Sequence, residues 1–252
     1  MIKKHLSDNL IQYSFAPHGN MIYGYNIYAV IGDDYQAILL DSAFEIHSGL
    51  VRDDLLRNGI HPVAIVISHF HSDHFEGIRT FEDIRVLGSE DYHDTFTSIY
   101  KGKDLHAFAP NTLLFDGQEM DIFGIHLKFL KGKGHSACGL ITIVNDEFVH
   151  VGDLLMADQA NRAILPLVGK NMIQEHIAAL YQITKYTNHT ILLSHGEPIT
   201  GEENIYYQSH QRIHYLESLV SGHPEMTAEE ALTKCDLEFS NIHWHKYNLR
   251  NR

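Results

Sequence analysis

The sequence is poor in cysteine, tryptophan and proline, and it has no long hydrophobic run. Its 252 residues include two cysteines, one tryptophan and six prolines. Cys138 and Cys235 lie too far apart for zinc-finger spacing, and two cysteines make no disulfide framework. No apolar stretch approaches the roughly 20 residues that a membrane-spanning helix needs. These absences argue against a disulfide scaffold and a membrane protein, and both cysteines are interpreted as small apolar side chains.

Basic residues are also scarce. There are 19 Lys and Arg against 32 Asp and Glu, which gives a formal net charge of -13. The densest basic cluster is the short Lys131-Gly132-Lys133. Proteins that grip nucleic acid through its phosphates carry a basic face, so the charge argues against a nucleic-acid partner.

The N-terminal segment, residues 1–8, is polar and lacks the apolar core of a secretory signal. We therefore expect a cytoplasmic protein with no membrane partner, acting on a small molecule.

With 44% hydrophobic and 20% charged residues, the composition is typical of a globular fold. Strand-like and helix-like segments alternate in two similar successions. The predicted strands are residues 22–31, 35–41, 63–68, 84–86, 118–130, 140–144, 147–151 and 190–194. The predicted helices are residues 45–58, 90–100, 171–186, 204–220 and 227–234. Two mixed sheets covered outside by helices fit this order better than one doubly wound parallel sheet does.

Histidine is abundant, with 20 residues, and one segment concentrates it. This segment, His69-Phe70-His71-Ser72-Asp73-His74, directly follows the predicted buried strand 63–68. Imidazoles and a carboxylate this close together are costly to bury without partners. Both groups are ligands that zinc and similar divalent ions accept. The segment therefore predicts a metal site and disfavours a His-rich surface loop.

Three further candidate ligands lie where predicted strands give way to glycine-containing loops. His135 stands in Gly-Lys-Gly-His-Ser, Asp153 in Val-Gly-Asp and His195 in Ser-His-Gly-Glu-Pro. Each alone is weak evidence, because a lone His or Asp in a loop more often has no function. Their shared position after a strand predicts that they join the 69–74 segment in one site.

In their order along the chain, these motifs resemble the metallo-β-lactamase-fold superfamily, particularly its glyoxalase II-like hydrolase branch. The resemblance rests on the 69–74 segment, Gly134-His135-Ser136, Gly152-Asp153 and His195-Gly196, and it includes the strand end Leu39-Leu40-Asp41-Ser42. It covers roughly residues 20 to 200. It implies an α+β fold, a four-layer αββα sandwich with mixed β-sheets. We expect a single domain over residues 1–252 with a short helical C-terminal segment from about residue 203.

The resemblance also implies a role for each candidate ligand. The implied ligands are His69, His71 and His135 for a first divalent ion, Asp73, His74 and His195 for a second, and Asp153 as a bridge between them. Zinc is the expected metal, with iron or manganese as alternatives. Asp41 is interpreted either as a residue that holds a ligand imidazole or, equally, as a cap of its strand end.

Other histidines carry weaker interpretations. His210 and His214 are four residues apart on a predicted helix, where a solvated face is favoured over an ion site. Members of the metallo-β-lactamase-fold superfamily often have pocket residues near the C-terminus, and this chain has His243-Trp244-His245 there. A contact of this segment with substrate is the less favoured interpretation.

The expected reaction is hydrolysis by a hydroxide held between two metal ions, because adjacent cations lower the pKa of a bound water. Asp73 is the candidate catalytic residue that orients this water and accepts its proton. The sequence has no Gly-x-Ser-x-Gly segment, which argues against a serine nucleophile.

A small acyl ester or thioester is the expected substrate. Asp153 stands where one lactamase group has Cys, and His71 stands where the diiron branch has Glu. Met156 stands where lactonases have Tyr, and the tail after Thr200 lacks the basic glutathione contacts of true glyoxalase II. The alternatives are a phosphodiester or lactone hydrolase, or a non-catalytic metal-binding member of the fold.

Overall fold

The computed structural model describes residues 1–101 and 104–252, whose strands form two β-sheets. The first sheet contains β1 (Ile2–Ser7), β2 (Leu10–Phe15), β3 (Tyr25–Ile31), β4 (Gln36–Leu40), β5 (His61–Val66), β6 (Arg85–Ser89) and β7 (Thr112–Leu114), in chain order. The second contains β8 (Glu119–Ile122), β9 (Ile125–Lys131), β10 (Leu140–Val144), β11 (Phe148–His150) and β12 (Thr190–Leu192), in the spatial order β12-β11-β10-β9-β8.

The helices are α1 (Glu45–Arg57), α2 (Ser72–Phe75), α3 (Tyr92–Ile99), α4 (Ile173–Ile183), α5 (Glu202–Ser221), α6 (Ala228–Ala231) and α7 (His245–Asn251). Within residues 1–101 and 104–252, none of them is both long and apolar enough to cross a bilayer.

Both sheets are mixed, as the sequence predicts. Strands β1 to β4 pair antiparallel and β4 to β7 pair parallel. Strands β8 to β11 pair antiparallel and β11 pairs parallel with β12. Parallel neighbours need long crossover connections, and these contain α1, α2, α3 and α4.

The alternation of side chains along the strands produces the layers. In β4, Ile38 and Leu40 face a cluster shared by both sheets, whereas Leu39 faces the cluster that includes residues of α1. In the second sheet, Ile141 and Ile143 pack on the side of α4 and α5. The order helix, sheet, sheet, helix confirms the predicted four-layer αββα sandwich.

Two local predictions can be compared directly with the backbone. Asn145 and Asp146 both adopt a φ of 52° between β10 and β11, which confirms the predicted tight turn. The prediction that Asn171 caps the helix of residues 171–186 is wrong, because Met172 is the residue at the cap. Asn171 instead has a φ of 57°, and its backbone N–H donates to the carbonyl of Asn251.

The hairpin of β1 and β2 at the N-terminus is absent from the sequence-based prediction. Strand β1 is an edge strand whose side chains are mostly exposed, so it has no apolar alternation to detect. Its position is fixed by pairing with β2 and by Lys3, whose Nζ lies 2.7 Å from a carboxylate oxygen of Asp54.

Candidate metal centre

All the candidate residues follow strands, and the ends of these strands meet in one place. Asp41 follows β4, the 69–74 segment follows β5, His135 follows β9, Asp153 follows β11 and His195 follows β12. Strands of both sheets therefore contribute, and residues far apart in sequence become neighbours.

Asp41 is buried and accepts several hydrogen bonds next to this cluster. Its Oδ1 accepts from the backbone N–H of Ser68 at 2.7 Å, and its Oδ2 accepts from the Ser68 and Ser194 hydroxyls, both at 2.8 Å. The Oδ2 atom also lies 2.7 Å from Nδ1 of His74. The carboxylate therefore lies against the ring of His74, a candidate ligand.

The first group contains three imidazole nitrogens. Nδ1 of His71 lies 3.0 Å from Nε2 of His69 and 3.0 Å from Nε2 of His135. Nδ1 of His135 lies 2.9 Å from the carbonyl oxygen of Leu167, which can only accept, so a neutral ring keeps its Nε2 lone pair for the cluster. Burial lowers the pKa of all three histidines, which keeps the rings neutral and able to act as ligands.

The second group contains Asp73, His74 and His195. Nε2 of His74 and Nε2 of His195 each lie 3.7 Å from a carboxylate oxygen of Asp73. Burial by itself would lower the pKa of His74, but the charges of Asp153, Asp41 and Asp73 raise it well above its ordinary value. The surrounding carboxylates therefore favour positive charge at this point.

Asp153 lies between the two groups, with one carboxylate oxygen toward each. Its Oδ1 is 3.4 Å from Nε2 of His74 and 3.2 Å from Nε2 of His195. Its Oδ2 is 3.4 Å from Nε2 of His135 and 3.9 Å from Nε2 of His69. Burial would raise the pKa of Asp153, but the neighbouring imidazoles hold it well below its usual range. The side chain is thus a carboxylate whose two oxygens face different sets of imidazoles.

The donor atoms of this site fit a divalent cation. Nε2 of His74, Nε2 of His195 and Oδ1 of Asp153 are buried and make no well-directed hydrogen bond among the described residues. Nδ1 of His195 donates to the carbonyl of Gly24 at 2.6 Å, so the Nε2 of a neutral ring carries only a lone pair. Lone pairs facing one another in a buried site are unfavourable unless a positive charge lies between them. The clusters of His69, His71 and His135, of His69, His74 and Asp153, and of Asp73, His74 and His195 each have ligand atoms close enough to share one ion.

Two glycines bring the loops close enough for this geometry. Gly134 has a φ of 140°, and a Cβ there would collide with His176. Gly152 has a φ of 54°, and its Cβ would lie 3.0 Å from the side chain of Ser68. Both conformations are unfavourable for other residues, which explains why a glycine precedes His135 and Asp153.

A pocket of about 310 Å³ opens over the cluster. His71, Asp73, His135 and Asp153 line it together with aromatic and aliphatic side chains. Its aromatic lining residues are Tyr23, Tyr25, Phe44, Tyr100 and Trp244. The ring of Tyr23 lies 4.5 Å from that of His195, centroid to centroid. Burial raises the pKa of Tyr23, and the charges of Asp73 and Asp153 raise it further, so the phenol stays protonated.

The histidines outside the cluster have other environments. His210 stacks on Tyr206 with ring centroids 3.9 Å apart. Of the C-terminal triplet, Trp244 lines the pocket, His243 is exposed, and His245 is buried with its Nε2 donating to the carbonyl of Met226 at 2.8 Å. Trp244 is thus the member of the triplet that is placed to contact a substrate.

Sequence reasoning missed two parts of the site. Tyr23 and Tyr25 fall in the predicted strand 22–31, where the sequence assigns them no role in the site. His150 is absent from the predicted site, yet it is buried with its Nε2 3.1 Å from the hydroxyl of Ser194, which in turn donates to Oδ2 of Asp41. The sequence signal for Tyr23 is that apolar residues continue on the N-terminal side of the strand, which begins at Tyr25.

Curated relatives of this chain are named as hydrolases. It is 25% identical over 137 residues to the hydroxyacylglutathione hydrolase of Glaesserella parasuis serovar 5 (strain SH0165), a match that covers 53% of this chain and 51% of the relative. The chain thus spans about half the length of that relative. It is 26% identical over 186 residues to the probable metallo-hydrolase YqgX of Bacillus subtilis (strain 168), covering 69% of this chain and 86% of the relative. These names support the prediction of a metallo-hydrolase.

The fold is shared with solved structures. A metallo-beta-lactamase family protein from Thermus thermophilus superposes with a TM-score of 0.70 at 16% identity, over 98% of this chain and 91% of the other. A family model described as the metallo-beta-lactamase superfamily matches residues 23–195. Because this match covers more than half of the 252 residues, the protein belongs to the metallo-beta-lactamase superfamily.

Proposed function

We propose that the protein is a metal-dependent hydrolase of small acyl esters or thioesters. The observation that carries the proposal is the set of buried ligand atoms on His74, His195 and Asp153, which face one another and make no well-directed hydrogen bond among the described residues. Such atoms are costly to bury unless a cation binds them. Zinc is the metal that a mixture of imidazole and carboxylate favours, and iron or manganese are alternatives.

Two ions would be held by residues with distinct positions. The first ion would be bound by His69, His71 and His135, and the second by Asp73, His74 and His195, with Asp153 between them. The orientation of the rings supports this arrangement. Nδ1 of both His135 and His195 is occupied by a backbone carbonyl, which leaves Nε2 for a metal.

When bound, a pair of divalent cations lowers the pKa of a water molecule and stabilises the negative charge that develops on the substrate. Asp73 is partly exposed and lines the pocket, so its carboxylate can orient the attacking water and accept the proton that the water loses. This is the role that we propose for Asp73, in addition to binding the second ion.

Tyr23 supplies a hydrogen-bond donor beside the second ligand group. Its ring packs against His195, and it lines the same pocket. A phenol has an ordinary pKa near 10 and keeps its proton at neutral pH. We propose that its hydroxyl donates to the carbonyl oxygen of the substrate as that oxygen becomes negative.

An acyl thioester suits this site better than a phosphodiester or a nucleic acid does. A thiolate is a good leaving group and needs little help from a general acid. The formal charge of -13 disfavours a polyanion everywhere except at the metal ions. One relative carries the name hydroxyacylglutathione hydrolase, which describes a thioester hydrolase.

The test is a substrate panel with zinc-loaded protein. Acyl thioesters, aryl esters, lactones, bis-nitrophenyl phosphate and a chromogenic cephalosporin are each assayed with wild type, His71→Ala and His210→Ala. We expect ester or thioester turnover that His71→Ala loses and that His210→Ala retains, because His210 lies outside the site. Turnover confined to the phosphodiester or the cephalosporin would show that the proposed reaction class is wrong.

A further inference from the structure

The pocket over the metal centre has an apolar wall. Besides its aromatic residues, it is lined by Met21, Ile99, Met156 and Leu167. Two of these apolar residues also face solvent, because Ile99 is 50% exposed and Met21 is 46% exposed. The entrance of the pocket is therefore apolar as well. Apolar side chains held open around a pocket mark a surface that an apolar ligand covers.

The same lining has no positive charge. None of its described residues is Lys or Arg, and the charged side chains among them are the ligand candidates Asp73 and Asp153. Lys101 lies next to Tyr100, but it lines a neighbouring cavity of about 460 Å³ beside α3. An anionic group that lies against the apolar wall, and not at the metal ions, would therefore lose its hydration without gaining an ion pair from a described lining residue.

We infer that the pocket binds an uncharged, apolar acyl group, aliphatic or aromatic, and rejects acyl groups that end in a carboxylate. This inference rests on the proposed hydrolase function and names the substrate class of that same site. A volume of about 310 Å³ is at the small end of ligand pockets, so the acyl group is short. Apart from the metal ions, the described lining residues offer no Lys or Arg to the carboxylates of a glutathione thioester, which separates this pocket from the substrate named for one relative.

The first experiment varies the acyl group on one neutral leaving group. N-acetylcysteamine thioesters of acetate, butyrate, hexanoate, phenylacetate and succinate are assayed with zinc-loaded protein, and kcat/KM is measured. We expect kcat/KM to rise about fourfold for each buried methylene from acetyl to hexanoyl. The succinyl ester matches butyryl in length but ends in a carboxylate, and its kcat/KM should be at least about a hundredfold below that of butyryl. Equal values for succinyl and butyryl would overturn the inference.

A charge added to the wall gives a second, independent measurement. Ile99→Lys places a cation at the pocket entrance on a position that is already half exposed, so folding should be retained. It should raise kcat/KM for the succinyl thioester relative to the butyryl thioester by about 1.5-fold to fivefold. The matched control is Ile46→Lys on α1, where an exposed isoleucine lies outside the pocket lining, and this variant should leave the ratio unchanged. An equal change in both variants would attribute the effect to net charge and contradict the inference.

The single tryptophan of the chain reports binding without catalysis. Trp244 lies in the pocket wall, so an amide that occupies the pocket should change its fluorescence. Hexanamide and phenylacetamide should produce a saturable change, whereas succinamate should not. If the amides bind but no thioester is hydrolysed, the proposed hydrolase function fails and the inference about the pocket stands. If thioesters are hydrolysed and neither apolar amide changes the fluorescence, the hydrolase stands and the inference fails.

Lys101 provides one more turnover measurement. A dependence of succinyl thioester turnover on Lys101, tested with Lys101→Ala, would contradict the inference that the pocket rejects carboxylates.

Discussion

Replacing Asp41 with asparagine should remove one metal ion while leaving the backbone intact. Asp41 is 1% exposed and has a φ of 58°, a conformation that asparagine adopts more readily than most residues. The backbone N–H of Ser68 can only donate, so the oxygen of the introduced side-chain amide must stay at the Oδ1 position. The amide nitrogen then replaces Oδ2, the atom that faces Nδ1 of His74 at 2.7 Å.

In the Asp41→Asn variant, an N–H of the side-chain amide would face Nδ1–H of His74, so that two hydrogen-bond donors oppose each other. In the proposed metal-bound wild type, Nδ1–H of His74 would donate to the carboxylate, and Nε2 would keep its lone pair for the second ion. The repulsion between the amide N–H and Nδ1–H of His74 disappears when the ring proton moves from Nδ1 to Nε2. Nε2 then has no lone pair with which to bind a metal. We expect the second ion to bind about tenfold to a hundredfold more weakly, and the loss of one charge-assisted hydrogen bond to lower the free energy of unfolding by about 2 to 3 kcal/mol.

The assay measures ions per chain after equilibration with limiting free zinc, together with thermal unfolding. Ser194→Ala is the matched control, because it removes one hydrogen bond to Oδ2 without opposing His74. That variant should keep both ions and lose about 1 kcal/mol of stability. If folded Asp41→Asn protein binds two ions as tightly as the wild type, Asp41 does not set the tautomer of His74.

Four further predictions address metal, catalysis and pH. Elemental analysis of wild-type protein supplied with metal should find close to two divalent ions per chain, and well under one would refute the metal centre. Asp153→Ala should lose the second ion and most activity with the fold retained, and unchanged stoichiometry and turnover would show that Asp153 is not a ligand. Tyr23→Phe should lower kcat about a hundredfold with little change in KM, and a loss seen only in KM would assign Tyr23 to substrate binding instead. Burial would raise the pKa of Asp41, but the charges of His74 and His150 and its hydrogen bonds lower it, so metal-free protein should lose this contribution to stability as the pH falls below about 4. Acid unfolding of metal-free Asp41→Asn should therefore depend less on pH than that of the wild type, and identical profiles would contradict the assignment.

Features that depend on neighbouring residues could be predicted from the sequence. The His-rich motif after an apolar strand, and the Gly-His and Gly-Asp pairs after later strands, depend on spacing within a few residues, and spacing is visible in a sequence. The layer order also followed, since apolar alternation and helix periodicity are local patterns. Strand β1 was missed for the same reason, because an exposed edge strand has no such pattern.

Contacts between residues that are distant in sequence became visible in the folded chain alone. The contact between Asp41 and His74 joins the ends of two strands, and the choice of Nδ1 or Nε2 on each ring depends on carbonyls from distant loops. The pocket wall combines Tyr23 with Trp244, which lie near opposite ends of the chain, with ring centroids 6.4 Å apart. No local spacing encodes such pairs, because they form only when the two sheets stack and bring their loops to one edge.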